Sequence, residues 1–340
     1  MPEEFGLRGL KGITATTRDR GSTLLTLNRK NVISTEAGKL VPQYTESDVR
    51  KKYNGSAAIY DSGSVKSISM EERSPVRTPL GMIEAELVTF YESGALKRVF
   101  PVNGKIGGFW TEADETALCP VLSMPLPCGT VTARFVNISF REDGGIRSVT
   151  LWPGETPEID TPTGAMRIRI GASFHPNGRL RTTEPARPTD ICTPIGTISA
   201  FDTDAVGVNA DTGSLEFSCD GEVRRLRTVN SGVTACVGDK QHSFSPGVRP
   251  SLLSASGWEV APLTVCFDDD GSVAFDGVRS EFRTGDARFR IWRHAVPMPV
   301  DISGMNGDGT DATEEQSCTA VAEQTAMPTR GRDPHSLVRL

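Results

Sequence analysis

Five basic side chains recur at one place in a repeated turn, and they are the first candidates for chemistry. Lys66, Lys97, Arg147, Arg181 and Arg224 each follow a branched apolar residue that stands two positions after a turn glycine. Aligned along one face, such cations would meet the phosphates of an anionic lipid or the carboxylates of a protein partner. The simpler expectation is that they pair with Asp61, Glu92, Glu142 and Asp143 near the same turns and keep sheet edges soluble.

Acidic candidates lie in one segment. Asp211-Thr212-Gly213-Ser214 matches the aspartic-protease signature, and Phe201-Asp202-Thr203-Asp204 half matches it nine residues earlier. That chemistry needs two carboxylates sharing a proton, one from each of two lobes or two chains. Nine residues do not build two lobes, and Asn209 stands where an apolar strand residue is expected. A plain turn is the expectation. If the chain is an enzyme, its catalytic residues are Asp202, Asp204 and Asp211.

Other chemistry is poorly served. His175 precedes Pro176-Asn177-Gly178 at a turn, with no Ser or Cys placed beside it by sequence. Gly104-Lys105-Ile106-Gly107-Gly108 lacks phosphate-loop spacing and reads as a cluster of turns. The seven Cys are odd in number and scattered, with no C-x-x-C and only four His to join them. Neither a disulfide framework nor a zinc site is expected, and no cofactor or metal. The run Asn306-Gly-Asp308-Gly-Thr310 lacks the glycine and the flanking helices of a calcium loop.

The elements that position these residues come from a repeat. Gly and Pro number 34 and 22 in 340 residues, so turns are many. One pattern occurs six times: an apolar residue, three turn residues, Gly, any residue, then a branched apolar residue. The copies start at Ile59, Phe90, Phe140, Phe174, Phe217 and Phe267, with tip glycines at 63, 94, 144, 178, 221 and 271. Gly at the tip accepts positive φ, so each copy predicts a β-hairpin in which the leading aromatic faces the branched residue. A second pattern, Thr-Pro-x-Gly, interleaves at Thr78, Thr161 and Thr193, with weaker forms at Thr35 and Leu126. It predicts tight turns closing the opposite ends of the strands. Thr111 and Asp114 form a capping-box variant for one short helix in an insert, and Thr45–Lys52 reads as another.

The unit aromatic-x-x-x-Gly-x-apolar-Lys/Arg-Ser resembles MORN-type repeats, especially the variant in bacterial antitoxin-like proteins. The resemblance covers about residues 60–275, around the hairpin tips; the Tyr-x-Gly-x-Trp opening of those repeats is absent and Thr-Pro-x-Gly is not part of them. It implies a scaffold for proteins or lipid head groups rather than a catalyst.

The expected fold is all-β: repeated hairpins in an elongated twisted sheet, with a β-sandwich or barrel-like closure as the alternative. Residues 1–56 read as an N-terminal β segment with a short helix, 57–298 as the repeat domain, and 299–340 as a disordered acidic tail. Net charge is −6. The tail carries seven acids and three bases, so the body is nearly neutral, and with 6% aromatics no nucleic acid partner is expected. No apolar run reaches the length of a membrane span, and Met1-Pro-Glu-Glu-Phe5 has acids where a secretory leader has bases. A cytoplasmic, non-enzymatic interaction protein with a protein partner, or with anionic lipid, is the expectation.

Overall fold

A computed structural model describes residues 9–46, 50, 55–205, 213–251, 257–276 and 278–295, with 278–281 as backbone only. The tail and most of Thr45–Lys52 lie outside the described residues. The regular structure of the described residues is almost entirely strand, with one α-helix, Glu112–Leu118.

All six hairpins form, in the register that the repeat dictates. Ile59 faces Val65, Phe90 faces Leu96, Phe140 faces Ile146, Phe174 faces Leu180, Phe217 faces Val223 and Phe267 faces Val273. The leading residues are all buried, and the five phenylalanines among them join one common core. Successive hairpins then pair side by side, always antiparallel, from Ile13–Asp19 to Val278–Arg283. The result is an open meander rather than a barrel: each terminal strand has one neighbour among the described strands. The N-terminal strand Ser22–Leu27 belongs to this sheet, pairing with Ala57–Tyr60.

Between hairpins, the ladder stops one residue short of each aromatic. Its last pairs are Ser67 with Thr89, Arg98 with Ser139, Ser148 with Ser173, Thr182 with Glu216, and Arg225 with Cys266. The aromatic's carbonyl beyond that point needs another donor. A side chain of the preceding hairpin supplies it. Tyr60 Oη donates to Phe90 O at 3.0 Å, Tyr91 Oη to Phe140 O at 3.0 Å, and the Arg141 guanidinium to Phe174 O. His175 Nε2 donates to Phe217 O at 2.9 Å, and Arg224 Nη1 to Phe267 O at 3.4 Å. His175 is therefore a link between hairpins.

The Thr-Pro-x-Gly segments form a second set of hairpins. Thr78, Thr161 and Thr193 each donate from Oγ1 to the glycine carbonyl three residues on, at 2.8, 2.6 and 2.6 Å, which closes the turn. Four strands serve both sets: Val65–Thr78, Gly81–Phe90, Gly129–Phe140 and Gly164–Phe174. Their pairing breaks between Ser69 and Ser74, between Phe135 and Asn137, and between Arg169 and Ala172. At the last break Ile170 has φ 68°, a rare value for a β-branched residue. Such irregularities bend strands.

The bends correct one expectation. The two sets of turns do not stay at opposite ends. A methyl added at Gly144, Gly178 or Gly221 would touch Pro79, Pro127 or Pro162 at 3.6, 3.9 or 3.4 Å. Arm residues such as Val76, Val131, Ile168 and Ile198 join the tip aromatics in one buried cluster. The core thus lies between the sheet and the arms.

The Arg-rich stretch at 279–293 forms two strands. Val278–Arg283 ends the main sheet, whereas Arg288–Arg293 pairs with Ser231–Val237 in a separate three-stranded sheet.

Two outcomes follow for urea unfolding of the full chain. Phe140→Ala is expected to lose about 3–5 kcal/mol as a core truncation. Tyr91→Phe keeps the ring, removes only the donor to Phe140 O, and is expected to lose about 1–3 kcal/mol.

Candidate functional site

The five repeat cations occupy one structural position. In each of the first five hairpins the register slips beside the leading residue, leaving Lys66, Lys97, Arg147, Arg181 or Arg224 as the unpaired bulge residue. The sixth hairpin has Ala274 there, pairs it regularly with Cys266, and has no bulge at that point. The five lie on every second strand, roughly 10 Å apart by strand spacing.

Each of them has a contact within the fold. Lys66 Nζ donates to Ser22 Oγ at 2.9 Å and lies 5.8 Å from the Tyr60 ring centre; Lys97 Nζ lies 5.0 Å from that of Tyr91. Arg181 pairs with Glu216 at 3.7 Å and Arg224 with Asp269, both one hairpin further on. Arg147 is engaged as well. The expected partners at the same tips are largely replaced: Asp61, for one, pairs with Arg18 at 3.1 Å.

The acidic candidates are also held. Asp202 is buried; its Oδ1 accepts from Asp204 N at 3.1 Å and its Oδ2 from Arg227 Nη1 at 3.4 Å. Asp202 and Asp204 line a cleft of about 310 Å³ with Arg227 and Arg249. Asp211 lies outside the described residues. Behind the cleft stands Glu184, 1% exposed, accepting from Asp202 N at 3.1 Å and Ser214 N at 2.6 Å. Burial pushes its carboxyl above the usual Glu range, opposed by those donors and by Arg169. Both Asp202 oxygens are engaged, one in fixing a turn and the other with an arginine.

The insert after the second hairpin has a different character. Its core is a charge network reached from distant parts of the chain. Arg50 bridges Glu86 at 2.8 Å and Glu115 at 2.9 Å, and Arg73 adds a contact to Glu86 at 3.2 Å. Glu115, 2% exposed, also accepts from Gly104 N and Trp110 Nε1, both at 2.7 Å. Glu86 accepts from Asn103 N at 2.9 Å. Burial alone would lower the Arg50 pKa; the hydrogen bonds and charges of Glu115 and Glu86 outweigh it and raise it. Two acids and two bases balance, so these buried charges are compensated. Gly104 is forced by proximity, since a methyl there would fall 2.0 Å from the Glu115 carboxylate.

The helix Glu112–Leu118 carries Glu115 and starts with the expected capping box: Thr111 Oγ1 accepts from Asp114 N at 3.2 Å, and Asp114 Oδ2 accepts from Thr111 N at 2.9 Å. Its far end is fixed by a small apolar cluster of Val102, Cys119 and Trp152. Between the anchors, Gly107 and Trp110 form a bridge with Gly107 N donating to Trp110 O at 2.8 Å. The tip of that tight turn is Gly108-Phe109, and Phe109 is 91% exposed. The anchored Trp110 and the exposed Phe109 are adjacent, so a rigid support presents an apolar ring to solvent. The glycines here are legible in the sequence as a turn cluster; the ring that they display carries no sequence signal of its own.

Among the described residues no group of three or more His, Cys, Asp or Glu is arranged to hold a metal ion. Burial pushes the thiols of Cys119 and Cys128 up to about 11. Comparison of the chain with protein-family models, with curated proteins and with solved structures gave no match.

Glu115→Ala leaves Arg50 undercompensated and two donors unpaired, and is expected to lose about 3–5 kcal/mol in urea unfolding. Thiol labelling of the native protein at pH 7.5, read by mass spectrometry of peptides, is expected to modify exposed Cys192 and Cys219 well before Cys119 and Cys128.

Proposed function

We propose that the protein is a non-enzymatic β-repeat scaffold of the cytoplasm that binds a protein partner, with the Phe109 turn as its anchor. The single observation carrying this reading is a 91% exposed Phe109 on a turn tied down by the buried Arg50–Glu86–Glu115 network. An exposed aromatic is costly to leave in water, and a rigid one loses little entropy on docking. Aromatic anchors that fill a partner's pocket dominate many interfaces. Exposed Glu112 and Asp114 stand beside it on the helix, so the partner pocket should be apolar with a basic rim. The engagement of all five repeat cations inside the fold weighs against the lipid-binding alternative, and the engagement of Asp202 weighs against an enzyme in the 201–214 segment. The MORN-type resemblance of the hairpin tips points the same way as the Phe109 turn, toward a scaffold.

The test is quantitative affinity capture with full-length protein as bait, comparing wild type, Phe109→Ser and the charge reversal Lys97→Glu. Phe109→Ser is expected to keep the wild-type unfolding curve and to lose the captured partner by tenfold or more, about 1.4 kcal/mol. Capture that is unchanged by Phe109→Ser and lost with Lys97→Glu would overturn the proposal in favour of the cation stripe.

A further inference from the structure

The strand Arg288–Arg293 pairs with Ser231–Val237 along one side and has no strand neighbour along the other among the described residues. The ladder fixes which of its backbone groups are left over. His294 N donates to Asn230 O at 2.8 Å, so by antiparallel alternation Trp292, Arg290 and Arg288 direct their N–H and C=O groups toward Ser231–Val237. Phe289, Ile291 and Arg293 direct theirs to the open edge. A row of donors and acceptors placed this way is a template for one more strand.

The side chains of this strand divide between two faces. Phe289 and Ile291 pack against the core, which makes theirs the inner face. Arg288, Arg290 and Trp292 stand on the outer face, across the ladder from Cys236, Thr234 and Gly232. Two contacts agree with that placement of Trp292. A methyl added at Gly232 would fall 2.3 Å from the indole, and Nε1 donates to Thr234 Oγ1 at 3.3 Å. Arg288 and Arg290 are exposed, and neither makes an ion pair or a hydrogen bond among the described residues. The cations of the hairpin repeat, by contrast, each have a contact within the fold. The outer face of the edge strand therefore runs Arg, Arg, Trp at steps of roughly 6.8 Å.

We propose that this open edge takes up an extended acidic segment of a partner protein as an added antiparallel strand, with carboxylates opposite Arg290 and Arg288 and an apolar residue opposite Trp292. The backbone of the segment completes the ladder at Phe289, Ile291 and Arg293. The three outer-face positions then become non-hydrogen-bonded pairs, in which facing side chains lie closest. Opposite charges in such pairs are favourable and like charges are not. A second copy of the strand, centred on Phe289 or Arg290, sets arginine against arginine. A nucleic acid strand suits the guanidiniums, but its sugar-phosphate backbone has no N–H groups for the carbonyls of the edge. The site is separate from the Phe109 turn and does not rest on it.

Fluorescence anisotropy at low salt tests it, with the full chain and labelled synthetic peptides. The probe is Thr-Val-Thr-Glu-Thr-Glu between glycine pairs, which sets Val opposite Trp292 and Glu opposite Arg290 and Arg288. Binding with Kd below about 1 mM is expected. Lysine in place of both glutamates is expected to weaken it tenfold or more. N-methylation of the two threonine amides opposite Ile291 and Phe289 is expected to do the same, since it removes ladder donors and keeps the charge. Arg288→Glu with Arg290→Glu is expected to weaken binding of the glutamate peptide tenfold or more and to gain binding of the lysine peptide. Both side chains are exposed and unpaired, so this variant is expected to keep the wild-type urea unfolding curve. No binding of the glutamate peptide, binding indifferent to N-methylation, or tighter binding of a single-stranded oligothymidylate overturns the inference. Self-association of the double variant in sedimentation velocity, with no peptide bound by wild type, also overturns it and marks the arginines as guards of the edge alone.

Discussion

Every hairpin tip after the first leaves one backbone carbonyl beyond the reach of its ladder, and the architecture rests on how that carbonyl is satisfied. The inter-hairpin pairing stops at the residue before each aromatic. The bulge explains why: an extra residue on the neighbouring strand carries the backbone out of register. A carbonyl left there unpaired would cost about 1–3 kcal/mol, five times over. Tyr60, Tyr91, Arg141 and His175 remove that cost from the preceding tip, and Arg224 does so for the last. Chemically different donors do one job, because all that the site asks for is an N–H or O–H at the right reach.

The same bulge accounts for the basic residue that marks five of the six repeats. A bulged side chain is freed from cross-strand pairing, and a long cationic one can span to the next structural partner. Lys66 and Lys97 lie over the tyrosines of their own tips, while Arg181 and Arg224 reach acids one hairpin along. The cations are therefore part of the mortar between repeats. The one fully displayed aromatic ring among the described residues, Phe109, stands instead where the repeat is interrupted by an insert.

Local features were legible in the chain because their causes are local. The aromatic-to-branched pairing, the tip glycines, the Thr-Pro-x-Gly turns and the Thr111–Asp114 capping box each depend on residues within seven positions of one another. What escaped depends on where strands bend. The folding of the arms onto the sheet follows from irregularities at Met70–Arg73, Val136 and Ile170-Gly171, none of which carries a shared residue signature. Arg50 meets Glu115 across 65 positions, and no periodicity announces such a meeting. Phe109 was hidden for the opposite reason: an apolar residue is assumed to be inside until a structure places it outside.

The carbonyl links all run in one direction, from each tip to the next in sequence. A row built this way has a giving end and a receiving end, like a chain of hooks and eyes. Any tip that offers a donor fits any tip that offers a carbonyl. Whole units are then interchangeable parts, and a gene encoding such a row can lengthen or shorten by copying or dropping a hairpin with its arm. The uneven intervals between tip glycines, 31 to 50 residues, are what such a history would leave once inserts had grown in the arms. The sixth hairpin has Asp268, an acid, where four earlier tips carry their donor, and Ala274 where five carry a cation, so neither position offers a hook.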